Sequence, residues 1–81
     1  MTDETVMIIA HRDSFFEGAD DNASGMATLL GMAEHFARIP KAQRRRTIQF
    51  VGSSGHHGTA VGTQWMADHQ EEVFGRMALL I

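Results

Sequence analysis

"VMIIAHRDSFFEGADDNASGMATLLGMAEHF" runs from Val6 to Phe36, and its hydrophobic pattern changes twice along the way. Val6 to Ala10 is a continuous apolar run of strand length, the pattern of a strand buried on both faces. His11 to Asp21 interleaves acids with Gly18 and reads as a loop. From Ala23 the period becomes helical: Met26, Leu29, Leu30, Ala33 and Phe36 fall on one stripe, while Glu34, His35 and Arg38 lie off it. Asp21 or Asn22 suits the N-cap of this helix, and Ile39-Pro40 suits its end.

The same alternation continues downstream. "TIQFV", Thr47 to Val51, reads as a second strand, and "GSSGHHG", Gly52 to Gly58, as a turn-rich loop. Thr59 is placed to cap a second helix that buries Ala60, Val61 and Trp65 and runs to about His69. Gly75 closes a short polar segment, and Met77 to Ile81 reads as a third strand. Strand, helix, strand, helix, strand predicts an α/β fold with a largely parallel sheet flanked by helices. In such sheets ligands collect at the carboxyl ends of strands, and both polar loops, 11–21 and 52–58, follow strands to that edge. The apolar "RMALLI" has no residue after Ile81 to cover it, so residues 1–81 are expected to be one partial domain that continues further.

Bulk properties narrow the function. The net charge of −3 argues against a nucleic-acid or anionic-membrane partner. The basic tract "KAQRRR", Lys41 to Arg46, holds no aromatic residue for stacking and reads as a solvated turn. There are no cysteines, which excludes disulfides and thiolate metal sites. No apolar run approaches the roughly 20 residues of a membrane helix, and no export signal is visible at Met1, so the compartment stays open.

Three polar groupings carry the chemistry. In "HRD", residues i and i+2 of an extended strand share a face, so Asp13 can hold one ring nitrogen of His11 protonated and leave the other for a metal. An ordinary hydrogen-bonded pair has the same pattern. "GADDNASG", Gly18 to Gly25, fits a helix start whose acids favour the positive end of the dipole, or a metal ligand at that start. A calcium loop beginning at Asp20 would need a glutamate at its twelfth position, where Gly31 stands. "GSSGHHGTAVGT", Gly52 to Thr63, is neither a nucleophile elbow nor a phosphate loop: Ser54 has Gly52 two before it but His56 two after, Ser53 has Val51 two before it, and no lysine is present. It leaves His56 and His57 side by side, either solvated or facing the same edge as His11. His35 and His69 read as surface or packing residues.

Together, "AHRDS", "GADDNASG", "RRRTIQFVG" and "GTAVGTQWMADH" resemble, in order and spacing, the zinc aminopeptidases of peptidase family M28. The resemblance implies a partial three-layer α/β/α domain in which His11 binds zinc and Asp13 orients it. It implies that Asp21 bridges two zinc ions and that the Asp21–Asn22 peptide is cis. His56 falls where the family has its general-base glutamate, and His57 where it has a glutamate that binds the second zinc. His57 can still ligate, because neutral imidazole is a good zinc ligand. His56 can accept a proton near neutral pH but differs from a carboxylate in shape and charge. Losing two acids opposite two dications weakens binding at one of the sites.

The function implied is a zinc-dependent metallopeptidase of aminopeptidase type, with a peptide substrate and Zn2+ as cofactor, two ions in the intact domain. The missing glutamate pair keeps a second reading in play, an M28-like scaffold or interaction module without chemistry, and an acyl-transfer or cyclase relative shares the same fold. Relatives usually work outside the cytoplasm.

Overall fold

The computed structural model describes residues 3–81. Three strands, β1 (Thr5–His11), β2 (Thr47–Ser53) and β3 (Met77–Leu80), form a sheet in the order β2-β1-β3, with both pairings parallel. Backbone pairing runs on past β3, since Ile9 N–H donates to Ile81 O at 3.0 Å and Ile81 N–H to Met7 O at 2.9 Å. Helix α1 (Gly25–Ala37) follows β1, α2 (Val61–Asp68) follows β2, and α3 (Gln70–Phe74) precedes β3. The alternating α/β reading is what the chain forms.

The centre of the sheet explains the unbroken apolar run of β1. Met7 and Ile8 are adjacent, so they point to opposite faces, yet they are only 3% and 7% exposed. Ile8 shares its face with Leu29 and Met32 of α1, whereas Ile9, on the other face, borders a cleft with Met66 of α2 and Phe74 of α3. Helices therefore lie on both sides of a central strand, the partial three-layer arrangement expected from the sequence.

Helix α1 departs from its predicted stripe at one position. Leu29 is buried, and Met26, Met32, Ala33 and Phe36 are half-buried, but Leu30 is exposed and Met32 takes its place inward. A rotation of about 100° per residue from Leu29 puts Leu30 at the solvent edge and brings positions 32 and 33 back over the sheet.

The second helix differs more. It begins at Val61, after Ala60 in a left-handed conformation (φ 54°), and Thr59 makes no cap. Val61 and Trp65 are exposed, and Ala60 is half-buried, so the predicted burial of all three does not hold. The His69 ring, one turn on, stacks nearly parallel on the Trp65 ring, with centroids 4.1 Å apart and 17° between planes. Gly62, Met66, Val73 and Phe74 form the inward side of α2 and α3.

The basic tract is also less solvated than its composition suggests. Lys41–Gln43 make one short helical turn, after which Arg44 and Arg46 are half-buried and Arg45 is exposed. Arg46 Nη2 pairs with Glu4 Oε1 at 3.2 Å.

Candidate metal centre

Strand β1 ends at His11 and β2 at Ser53, and these residues are paired in register, so the loops that follow leave from one edge. Arg12 N–H donates to Ser53 O at 2.8 Å and carries the pairing one residue further. The first loop returns through a helical turn, Ala19–Ser24, that is interrupted at Asp21 and Asn22, and the Asp21–Asn22 peptide bond is cis.

Asn22 ties this turn to both of its neighbours. Its Nδ2 donates to His11 O at 2.9 Å, and its Oδ1 accepts from Gly25 N–H at 3.1 Å at the start of α1. A side chain on residue 25 would collide with the Asn22 amide, which is why a glycine opens the helix. Asn22 thus does the capping that its residue type suggested and fixes the end of β1 as well. The second loop turns at Gly55, whose φ of 74° suits glycine, and whose carbonyl accepts from Ala60 N–H at 2.7 Å.

Between these loops the predicted side chains come together. His11 Nε2 lies 3.0 Å from Asp21 Oδ1, and His57 Nε2 lies 3.1 Å from Asp21 Oδ2. One ligand atom each from His11, Asp21 and His57 can be chosen so that all lie within 4.8 Å of one another. His57 Nε2 is shielded from solvent and makes no hydrogen bond; its approach to Asp21 is close but lacks hydrogen-bond geometry. A buried nitrogen without a hydrogen-bond partner is unfavourable unless something else satisfies it. Two imidazole nitrogens and a carboxylate facing one point suit a zinc ion in donor type.

Asp13 organises the group from behind. Its Oδ1 and its backbone carbonyl lie 3.3 and 3.2 Å from His11 Nδ1, so a proton on that nitrogen has two acceptors, the arrangement that leaves Nε2 free for a metal. Its Oδ2 accepts from His57 N–H at 3.3 Å, across 44 positions of sequence. Partial burial pushes the Asp13 carboxyl up, but backbone N–H groups of His57 and His56, its own N–H and the His11 ring outweigh that and hold it below the usual 3.8.

The sign of the resulting pH dependence follows. A carboxyl with a depressed folded value contributes stability above its unfolded value and loses it as pH falls through the lower folded one. The loop carrying His56 and His57 should therefore stay anchored at pH 5 to 7 and loosen only below about pH 4. In an Asp13→Asn variant the acid-dependent step should vanish from amide chemical shifts of residues 55–58, and metal affinity should fall by about 10–100-fold. An unchanged titration in the variant would assign that step to another group.

His56 is close to the group but not part of it. Its ring lies flat on that of His11, with centroids 4.0 Å apart and 16° between planes, and it meets His57 edge-on at 5.3 Å. Phe15 was not singled out by sequence reasoning. Its ring is 4.8 Å from that of His57 although the residue is 71% exposed, so it forms an apolar wall at the mouth of the group. Only its place between "HRD" and "GADDNASG" could have drawn notice to it. His35 and His69 pack on Phe36 and Trp65, away from this edge, as surface and packing residues.

The model of peptidase family M28 matches residues 1–80. The chain belongs to that family. Among curated proteins, this M28 chain is similar to the BOS complex subunit NCLN of Gallus gallus, at 36% identity over 75 residues, covering 80% of the chain and 13% of that protein. The same subunit from Canis lupus familiaris is 33% identical over 75 residues, with the same coverage. The M28 chain thus spans about an eighth of the length of these relatives. No solved structure gives a significant match. Among the described residues, no helix is long and apolar enough to cross a membrane.

Proposed function

We propose that this chain is part of an M28 domain, continuing beyond Ile81, that holds zinc and hydrolyses peptide bonds at the N-terminus of a peptide substrate. The observation that carries this reading is the meeting of His11, Asp21 and His57, with His57 Nε2 buried and without a hydrogen-bond partner. His11, Asp21 and His57 are the residues that would hold the ion. When bound, zinc lowers the pKa of a water towards about 7 and polarises the carbonyl to be attacked.

The remaining steps fall to other side chains. Asp13 keeps His11 in the tautomer with Nε2 free and ties the His57 backbone to the same place. His56, standing in the family's general-base position, is the group assigned to accept the proton of the attacking water, since a neutral imidazole does so near neutral pH. Phe15 offers an apolar surface beside His57 for a substrate side chain.

A second reading is favoured by two specific observations. His56 is stacked on a ligand rather than standing apart as a carboxylate base would, and the similar curated proteins are named as subunits of a complex. On that reading the M28 fold serves as a scaffold or interaction module and performs no hydrolysis. The two separate in one experiment on the full-length protein, using metal analysis and a panel of aminoacyl-arylamide substrates. Bound zinc with chelator-sensitive hydrolysis, reduced by about 100-fold or more in His56→Ala, supports the peptidase. Bound zinc with no turnover, or no bound zinc at all, supports the module and removes the peptidase.

A further inference from the structure

We infer that Phe15 makes this site select peptides whose N-terminal side chain is a flat aromatic ring. The inference rests on reading the centre as the place where a peptide N-terminus binds, and adds the class of peptide taken.

The site is walled with rings. His57 meets Phe15 at 4.8 Å between centroids with planes tilted by 39°, His11 at 5.0 Å and 87°, and His56 at 5.3 Å and 79°. His11 and His57 are half-buried, whereas His56 and Phe15 are exposed, so much of the Phe15 ring is left for a ligand. In an aminopeptidase-type reaction the attacked carbonyl belongs to the first residue, whose side chain branches from the adjacent carbon. That side chain therefore lies beside the wall that Phe15 sets against His57. Aromatic rings meeting offset or edge-on attract one another beyond what burial of their area gives. An aliphatic side chain of similar size gains the area alone.

Phe15 is also fixed in place. The turn that carries it is closed by Ser14 Oγ, which donates to Phe16 O at 2.9 Å. Asp13, two residues before it, accepts from His57 N–H at 3.3 Å, so the two sides of the Phe15–His57 contact are tied together at the backbone. A wall already ordered costs little further entropy when a ligand meets it. The charges nearby select as well. Glu17 and Asp20 of the same loop are exposed, and an acidic side chain there meets like charge. The same two acids would draw a cationic side chain, which is the competing outcome.

The test uses the zinc-loaded full-length protein and tripeptides in which phenylalanine, leucine, lysine or aspartate precedes two glycines. Binding is measured by calorimetry and hydrolysis as kcat/KM. Phenylalanine is expected to exceed leucine by about threefold or more, with lysine and aspartate below both. Phe15→Ala should erase the advantage of phenylalanine over leucine, and Phe15→Trp should keep it. Phe16→Ala, which removes a ring that is 93% exposed, is the matched control and should leave the advantage as it was. Equal loss in Phe15→Ala and Phe16→Ala overturns the inference, as does a preference for lysine. So does an equal fall for all four peptides together with weaker zinc binding, since Phe15 would then only prop His57. Hydrolysis without aromatic preference overturns the inference and leaves the peptidase reading standing. Aromatic preference in binding, without turnover of any peptide, upholds the inference and removes the peptidase reading. Neither binding nor turnover removes both.

Discussion

Asp21→Ala is expected to weaken zinc binding to this chain by more than about 100-fold. Loss of a group that merely orients a ligand costs about 10–100-fold, and Asp21 is placed to touch the ion itself. It is also the only carboxylate of the group among the described residues, so its removal leaves two neutral imidazoles and no charge to oppose a dication. Competition against a chromophoric chelator measures the change. The fold should tolerate the substitution, because the Asp21 side chain is 59% exposed and its truncation opens no cavity. Thermal melts of the metal-free chain should stay within about 0.5 kcal/mol of the unaltered protein. Asp21→Asn, which keeps one ligating oxygen but no charge, should fall between the two. Equal zinc affinity in all three chains would take Asp21 out of the site.

How much of this could be read from the residues varies with the physics behind each feature. The strands and α1 were legible because burial on both faces and burial on one stripe leave different periods, and Val6–Ala10 and Met26–Phe36 each keep one of them cleanly. The choice between Leu30 and Met32 was not legible, since both lie near the margin of the stripe and only the sheet beneath decides between them. Trp65 misled for another reason. Its size suggests burial, but a ring four residues on can cover it without any core. At the site, His11 and Asp13 were legible from the two-residue repeat of an extended strand, and Asp21, His56 and His57 from the motifs around them. The bond from His57 N–H to Asp13 was hidden, because its donor is a backbone group that any residue type would supply.

Leu29→Ala should be the most damaging substitution to the fold, at about 2–5 kcal/mol. It is 5% exposed and lines one cleft with Ile8, and with Met7 and Ile8 it makes up the buried apolar core of the described residues. A chain of this length rarely has more than about 3–5 kcal/mol of stability in hand, so this one change should leave much of it unfolded. Leu30→Ala is the matched control. It removes the same atoms from an exposed position of the same helix and should shift stability by no more than about 0.5 kcal/mol. Urea unfolding at constant slope measures both, and equal midpoint shifts would refute the orientation of α1. Zinc then links the core to the site, because an ion that binds only the folded chain stabilises it by about 2.7 kcal/mol at a hundred times its dissociation constant. Zinc should therefore refold much of the Leu29→Ala chain, and it should fail to do so once Asp21→Ala is added, since the rescue runs through the group at the end of β1 rather than through the core beneath α1.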